Sequence, residues 1–212
     1  MTRLNINCFW GPALTEDEAL ATQVSDFARR LSGIHPLLGE IAITGAKDGF
    51  ANMMGQPLIS SLQLSDWGNL LSESRDARGV VVLNLWNRRS SPSEFISCTI
   101  HANDNAIGNG VSLNGLPEPL NNAESIQAIM HASIDVFRPR QAMAYTYWQD
   151  EKLWARCWTV WTPQHVSILA DPETQFFPEQ GPHRTIEPWL GGLLYTWPEY
   201  APWTYRQAAS SA

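Results

Sequence analysis

The sequence predicts an α+β domain in which helices pack on a mostly antiparallel β-sheet, with a Trp- and Pro-rich final third. Three observations predict it. Apolar residues recur at helical spacing in two places, Leu20, Val24, Phe27, Leu31 and Ile126, Ile129, Met130, Ile134, Phe137. Several short segments alternate or run apolar as strands do, with Gly, Pro and Asn clusters between them. The chain is 212 residues long, 44% hydrophobic and 17% charged, which suits one unit over residues 1–212.

Leu4, Ile6, Cys8 and Trp10 alternate with Asn5, Asn7 and Phe9, the pattern of a half-buried strand ended by Gly11-Pro12. Thr15 to Glu18 reads as a capping box with Thr15 as N-cap. Its acids suit the positive end of the helix that follows, which runs past Leu31 toward Gly33 and Pro36. Ile41 and Ile43 suggest a short strand, Lys47-Asp48-Gly49 a turn, and Ser65 a cap for a helix burying Trp67, Leu70 and Leu71. Val80 to Trp86 is a β-branched run, expected as a central strand buried on both faces. Ile96, Cys98 and Ile100 mark its neighbour across an Arg88–Pro92 hairpin loop.

Residues 103–122 are rich in Asn, Gly and Pro and read as loop, interrupted by a strand at Val111 to Leu113. Asn121 and Glu124 have capping-box spacing ahead of the second helical stripe, which Pro139 stops. Ala142 to Tyr147 reads as a strand. Trp158–Trp161, Val166–Leu169 and Leu190–Trp197 read as further strands, with Gly191-Gly192 as a bulge or close backbone approach. Residues 206–212 read as a frayed tail.

Charge narrows the function. Asp and Glu number 21 against 14 Lys and Arg, a net charge of −7, and only Lys47 and Lys152 are lysines. No cationic stripe exists for nucleic acid; Arg88-Arg89, beside Arg75 and Arg78, is the densest basic spot. An acidic protein is drawn instead to basic partners. Cys8, Cys98 and Cys157 are odd in number and widely spaced, which argues against a disulfide framework or a zinc site. No apolar run approaches the roughly 20 residues that span a bilayer. The first ten residues lack signal-peptide order, so the expectation is a soluble cytoplasmic protein.

Catalytic and cofactor signals are weak. No metal-ligand spacing, nucleophile elbow, phosphate loop or dinucleotide loop is present, so neither an enzyme nor a bound cofactor or metal is expected. His101 and Asp104 flank a turn and are the nearest approach to an acid–base pair. His131 reads as boundary packing. Seven of the ten Trp residues lie from Trp148 to Trp203. They fill an irregular core or, in part, anchor a binding surface; for a carbohydrate, Trp189, Trp197 or Trp203 would be stacking platforms.

The ordering of these features resembles the immunity protein 52 family of bacterial polymorphic toxin systems. Three places carry it: Phe9-Trp10-Gly11 with the helix ending near Leu31 and His35-Pro36-Leu37 beyond; the helix from Ile126 to Phe137 with Pro139 and the strand Ala142–Tyr147; and the aromatic stretch leading to Gly191-Gly192-Leu193-Leu194-Tyr195. They span residues 3–198. At the third place family members tend to carry Gly-Trp-Leu-x-Tyr, and Gly192 stands here where the Trp would. The resemblance implies a non-enzymatic cytoplasmic antidote to a toxin of restriction-endonuclease-like fold, often delivered by a type VI secretion system.

For such a protein the chemistry nominates contacts with the toxin. Asp104 and Glu118 lie in the stretch from His101 to Phe137, which has four acids and no Lys or Arg. Asp171, Glu173 and Glu179 are interleaved with Phe176 and Phe177. Acidic loops entering the DNA cleft, or an aromatic surface docked beside it, would both neutralise a nuclease. An effector adaptor that binds without inhibiting, and a small enzyme using His101 and Asp104, are the competing readings. The sequence leaves the oligomeric state open.

Overall fold

Alternation in the first strand decides the layering. In β1 (Leu4–Trp10) the side chains of Leu4, Ile6 and Cys8 are buried at 1% exposure or less and belong to the main core, while Asn7 and Phe9 turn to the other face. The computed structural model describes residues 4–10, 16–43, 56–89, 91, 93–103, 108–146, 156–163, 185–198 and 201.

The other elements are α1 (Asp17–Ile34), α2 (Pro36–Gly39), β2 (Ala42–Ile43), α3 (Leu64–Glu73), β3 (Val81–Trp86), β4 (Ser97–Ala102), β5 (Asn109–Leu116), α4 (Ala123–Phe137), β6 (Gln141–Thr146), β7 (Arg156–Pro163), β8 (Thr185–Trp189) and β9 (Gly192–Thr196). The nine strands form one sheet in the order β2-β3-β4-β5-β1-β6-β7-β9-β8, and every neighbouring pair is antiparallel. The expected α+β class is therefore what the chain forms.

The helices cover one face. α1 buries Leu20, Val24, Phe27 and Leu31, the stripe its spacing predicts, and α4 buries Ile126, Ile129, Met130, Ile134 and Phe137. Phe137 joins the layers: Trp10 stacks on it at 4.5 Å and Phe27 meets its edge at 5.1 Å. Cys8 and Cys98 sit in this core as small apolar residues, and burial pushes both thiols up to about 12. No described helix is long and apolar enough to cross a membrane.

Several local expectations are corrected. The N-cap of α1 is Glu16, with no side-chain cap bond, and Thr15 lies outside the described residues. Pro36 does not only end α1. It opens α2 at the first helical position, where a missing N–H costs nothing, and His35 Nδ1 accepts from Leu37 N at 3.2 Å. The capping box of α3 uses Gln63 and Asp66 rather than Ser65, and α4 is capped by Asn122 rather than Asn121. In α2, α3 and α4 the cap is set by which side chain reaches the free N–H groups, a choice that shifts by a residue or two without changing the apolar stripe.

Larger corrections concern the sheet. β3 is one strand in from the edge, and it alternates, with Val82 at 44% exposure and Asn84 exposed, rather than being buried on both faces. The stretch read as loop contains β5, eight residues paired on both sides. Its Asn, Ser and Gly residues are poor strand formers, and the burial of Val111, Leu113 and Leu116 overrides them. Residues 190–197 are not one bulged strand: Leu190 (φ 50°) and Gly191 (φ 72°) form the two-residue turn of a β8–β9 hairpin. The expected close approach holds at Gly192, where a Cβ would lie 2.3 Å from the Thr162 carbonyl oxygen. Lys47-Asp48-Gly49, Val166–Leu169 and the tail lie outside the described residues.

Candidate interaction surface

Strand register builds the face opposite the helices. One row runs across eight strands. It starts at Asn84, Thr99, Ser112 and Asn7, and it continues through Met143, Val160, Tyr195 and Ile186. Its first half is uncharged hydrogen-bonding groups and its second half is apolar or aromatic. The halves meet where Asn7 Nδ2 donates to Tyr145 Oη at 2.9 Å. Tyr145, Val160 and Trp197 form a second small core on this face, with Met143 and Tyr195 packed against it. The ends of the row are open: Asn84 is exposed and Ile186 is 50% exposed.

His101 lies on the next row, on β4 opposite Gly110 and Val82. Its ring occupies the space a Gly110 side chain would need, since a Cβ there would be 2.7 Å from the imidazole. Phe9 is 6.4 Å away. His101 is 9% exposed, a packed strand residue rather than a turn residue. Asp104, its suggested acid–base partner, lies outside the described residues.

Of the nominated acids, Glu118 alone lies among the described residues. Asn103 and Gly108 bracket Asp104 at one end of β5, and Glu118 follows the other end on a 3-10 turn, Glu118–Leu120, where it is exposed. Asp171, Glu173, Phe176 and Glu179 lie outside the described residues.

Sequence reasoning missed an acidic corner at the Asn103 end. Ala102 pairs with Val81, Val81 bridges Arg75, and the Arg75 guanidinium binds Asp17 at the start of α1. This ties the acidic first turn of α1 to the segment that follows α3. The acids of the α1 first turn were legible as helix-terminus acids; the Arg75–Asp17 ion pair is a tertiary contact without a sequence signal.

The basic spot is largely neutralised, Arg88 being its member without an ion pair among the described residues. Arg75 and Arg89 flank opposite ends of β3, and each is held by carboxylates. Glu40 grips Arg89 through two bonds of 2.6 Å, raising its pKa, and Asp76 binds Arg78. Asp26 binds Arg29 and Arg30, and Arg30 reaches Asp135 on α4 at 3.1 Å. Glu16, Glu18, Glu73 and Glu124 have no ion pair among the described residues.

Tryptophans in the last third mostly fill core. Trp158, Trp161 and Trp197 are 3–5% exposed, so Trp197 is no stacking platform. Trp161 Nε1 donates to the Trp189 carbonyl at 2.8 Å, and Trp189 is half-buried against the main core; Trp203 lies outside the described residues. His131 is exposed rather than boundary packing, with Nε2 3.7 Å from Asp135. Among the described residues no group of three or more His, Cys, Asp or Glu could hold a metal.

No family model matches the chain, and no curated protein matches it. Among solved structures it is similar to a Pseudomonas aeruginosa T6SS protein, at 11% identity and a TM-score of 0.48 over 92% of this chain and 65% of that one. It is also similar to a Trypanosoma brucei AdoMetDC monomer, at 14% identity and a TM-score of 0.29 over 92% of this chain and 62% of that one. The chain thus spans just under two thirds of each, and at these scores neither neighbour transfers an activity.

Proposed function

We propose that this chain is an immunity protein that binds a cognate antibacterial nuclease in the cytoplasm and neutralises it by covering a functional surface. The observation that carries the reading is the distribution of charge. The net charge is −7, and Arg29, Arg30, Arg75, Arg78 and Arg89 are each engaged by a carboxylate. Such a surface steers toward a cationic partner, and a DNA-cleaving toxin must present a cationic cleft to hold phosphates.

The sequence resemblance to the immunity protein 52 family supports the same reading. Type VI secretion is the delivery route that resemblance implies. Glu118 and Asp104 are proposed contacts, as are Asp171, Glu173, Phe176 and Glu179. The uncharged Asn, Ser, Thr and Tyr groups of the open sheet face add the adaptable hydrogen bonding common in protein-recognition surfaces.

Co-expression in bacteria with a nuclease toxin, sought first among the adjacent reading frames, tests the reading. Survival with intact DNA, and a complex that survives purification, is the expected result. A complex without survival would make the chain an effector adaptor. Neither a complex nor survival would overturn the assignment.

A further inference from the structure

Among the described residues the sheet ends at β8, and its outer edge is unusual in what it offers. Thr185, Ile186, Glu187 and Pro188 are all exposed, and Ile186 at 50% is the most exposed large apolar side chain of the described residues. The two-residue turn at Leu190-Gly191 makes Trp189 and Gly192 the closing hydrogen-bonded pair. Alternation then points the main-chain groups of Glu187 and Thr185 inward to β9 and those of Ile186 and Pro188 outward. Pro188 has no N–H, so the described edge presents one donor, on Ile186, and the carbonyls of Ile186 and Pro188. Proline at this slot is tolerated because the slot faces no strand of the sheet.

We propose that this edge is a self-pairing site, through which β8 of one copy adds antiparallel to β8 of a second copy about a two-fold axis at Ile186. Register selects that axis. Centred on Ile186, each Ile186 N–H meets the other copy's Ile186 carbonyl, and Glu187 stands opposite Thr185. Centred on Glu187, two carboxylates would face each other directly, and Ile186 would lie opposite a proline that cannot return its bond. Centred on Pro188, the central pair would have no donor at all. The Ile186 axis also continues the apolar half of the sheet row: Val160, Tyr195 and Ile186 would run on into the Ile186 and Tyr195 of the second copy. The contact is small beside the roughly 1,200–2,000 Å² of stable interfaces, so the dimer dissociates readily on dilution.

Sedimentation equilibrium of the purified chain from about 1 µM to about 1 mM tests this. The average mass rises toward twice that of the chain, and Ile186→Pro, which removes the outward donor, stays monomeric throughout. A second readout does not depend on that variant folding. In the Ile186-centred register the paired Cα atoms lie about 5.5 Å apart, within disulfide reach, whereas the two Thr185 positions are about 8 Å apart. Mild oxidation therefore links Ile186→Cys chains into a dimer beyond the wild-type background and leaves Thr185→Cys chains unlinked. A wild-type chain still monomeric at about 1 mM, a dimer undisturbed by Ile186→Pro, or Ile186→Cys that does not cross-link would each overturn the proposal.

Discussion

At Gly192 the backbone of β9 comes so near β7 that an added Cβ would lie 2.3 Å from the Thr162 carbonyl oxygen and 2.5 Å from the Trp161 indole nitrogen. The obstruction is main chain and a buried ring, so nothing flexible can give way. Gly192→Ala is expected to cost about 2–3 kcal/mol by overpacking. Gly33, inside the last turn of α1, meets nothing within 4 Å, and Gly33→Ala should stabilise by about 0.5–1 kcal/mol. Urea unfolding of the two variants checks both signs. The glycine pair was legible as a close approach, but which of Gly191 and Gly192 turns and which packs depended on the hairpin.

The buried thiols make a second prediction at this scale. Cys8 and Cys98 have an ordinary value near 9 and are pushed up to about 12, chiefly by burial, with a Ser133 contact opposing at Cys8. Between those values the native state keeps a proton at each site that the unfolded chain has lost. Stability is therefore unaffected by these groups below pH 9 and falls as pH rises from 9 toward 12, by up to about 1.4 kcal/mol per pH unit for each thiol. Denaturant midpoints across that range, compared with a Cys8→Ala, Cys98→Ala chain, measure the slope; an equal slope in both would contradict it.

Helices were the most legible elements and their caps the least. The stripes of α1 and α4 follow from spacing alone, because burying one face fixes which residues must be apolar. Caps depend on a single side-chain bond. At α4 it is Asn122, whose exposed side chain accepts from Ser125 N at 2.9 Å. Asn122→Ala should cost about 1 kcal/mol, with Asn121→Ala as the comparison; thermal melts decide it. β5 shows the limit for strands. Its Asn109, Gly110, Ser112, Asn114 and Gly115 carry a loop-like composition, so the sequence shows a strand only at Val111 to Leu113 and pairing with β4 and β1 reveals its full length. β8 was invisible for the complementary reason: an edge strand with four exposed residues has no buried alternation to read. Its pairing with a second copy about Ile186 is the prediction that belongs to this element.

For the whole molecule, the sheet layering separates two kinds of surface. Among the described residues helices and turns carry most of the charges, and the open sheet face between β3 and β1 carries uncharged amides and hydroxyls. Composition revealed the acidic excess but not its placement, since ion pairs such as Glu40–Arg89 and Asp17–Arg75 join residues far apart in the chain. His101 shows the same limit: beside a turn in sequence, it is packed over Gly110 in the fold.

The central claim is that this acidic molecule silences a nuclease by covering it. Titrating the purified chain into a DNA-cleavage reaction of its candidate nuclease, sought first among the adjacent reading frames, tests that most directly. The account predicts that cleavage stops near stoichiometric addition and that the rate of inhibition falls steeply as salt rises, because charge steers the encounter. Cleavage that continues undiminished in excess of the chain would contradict it.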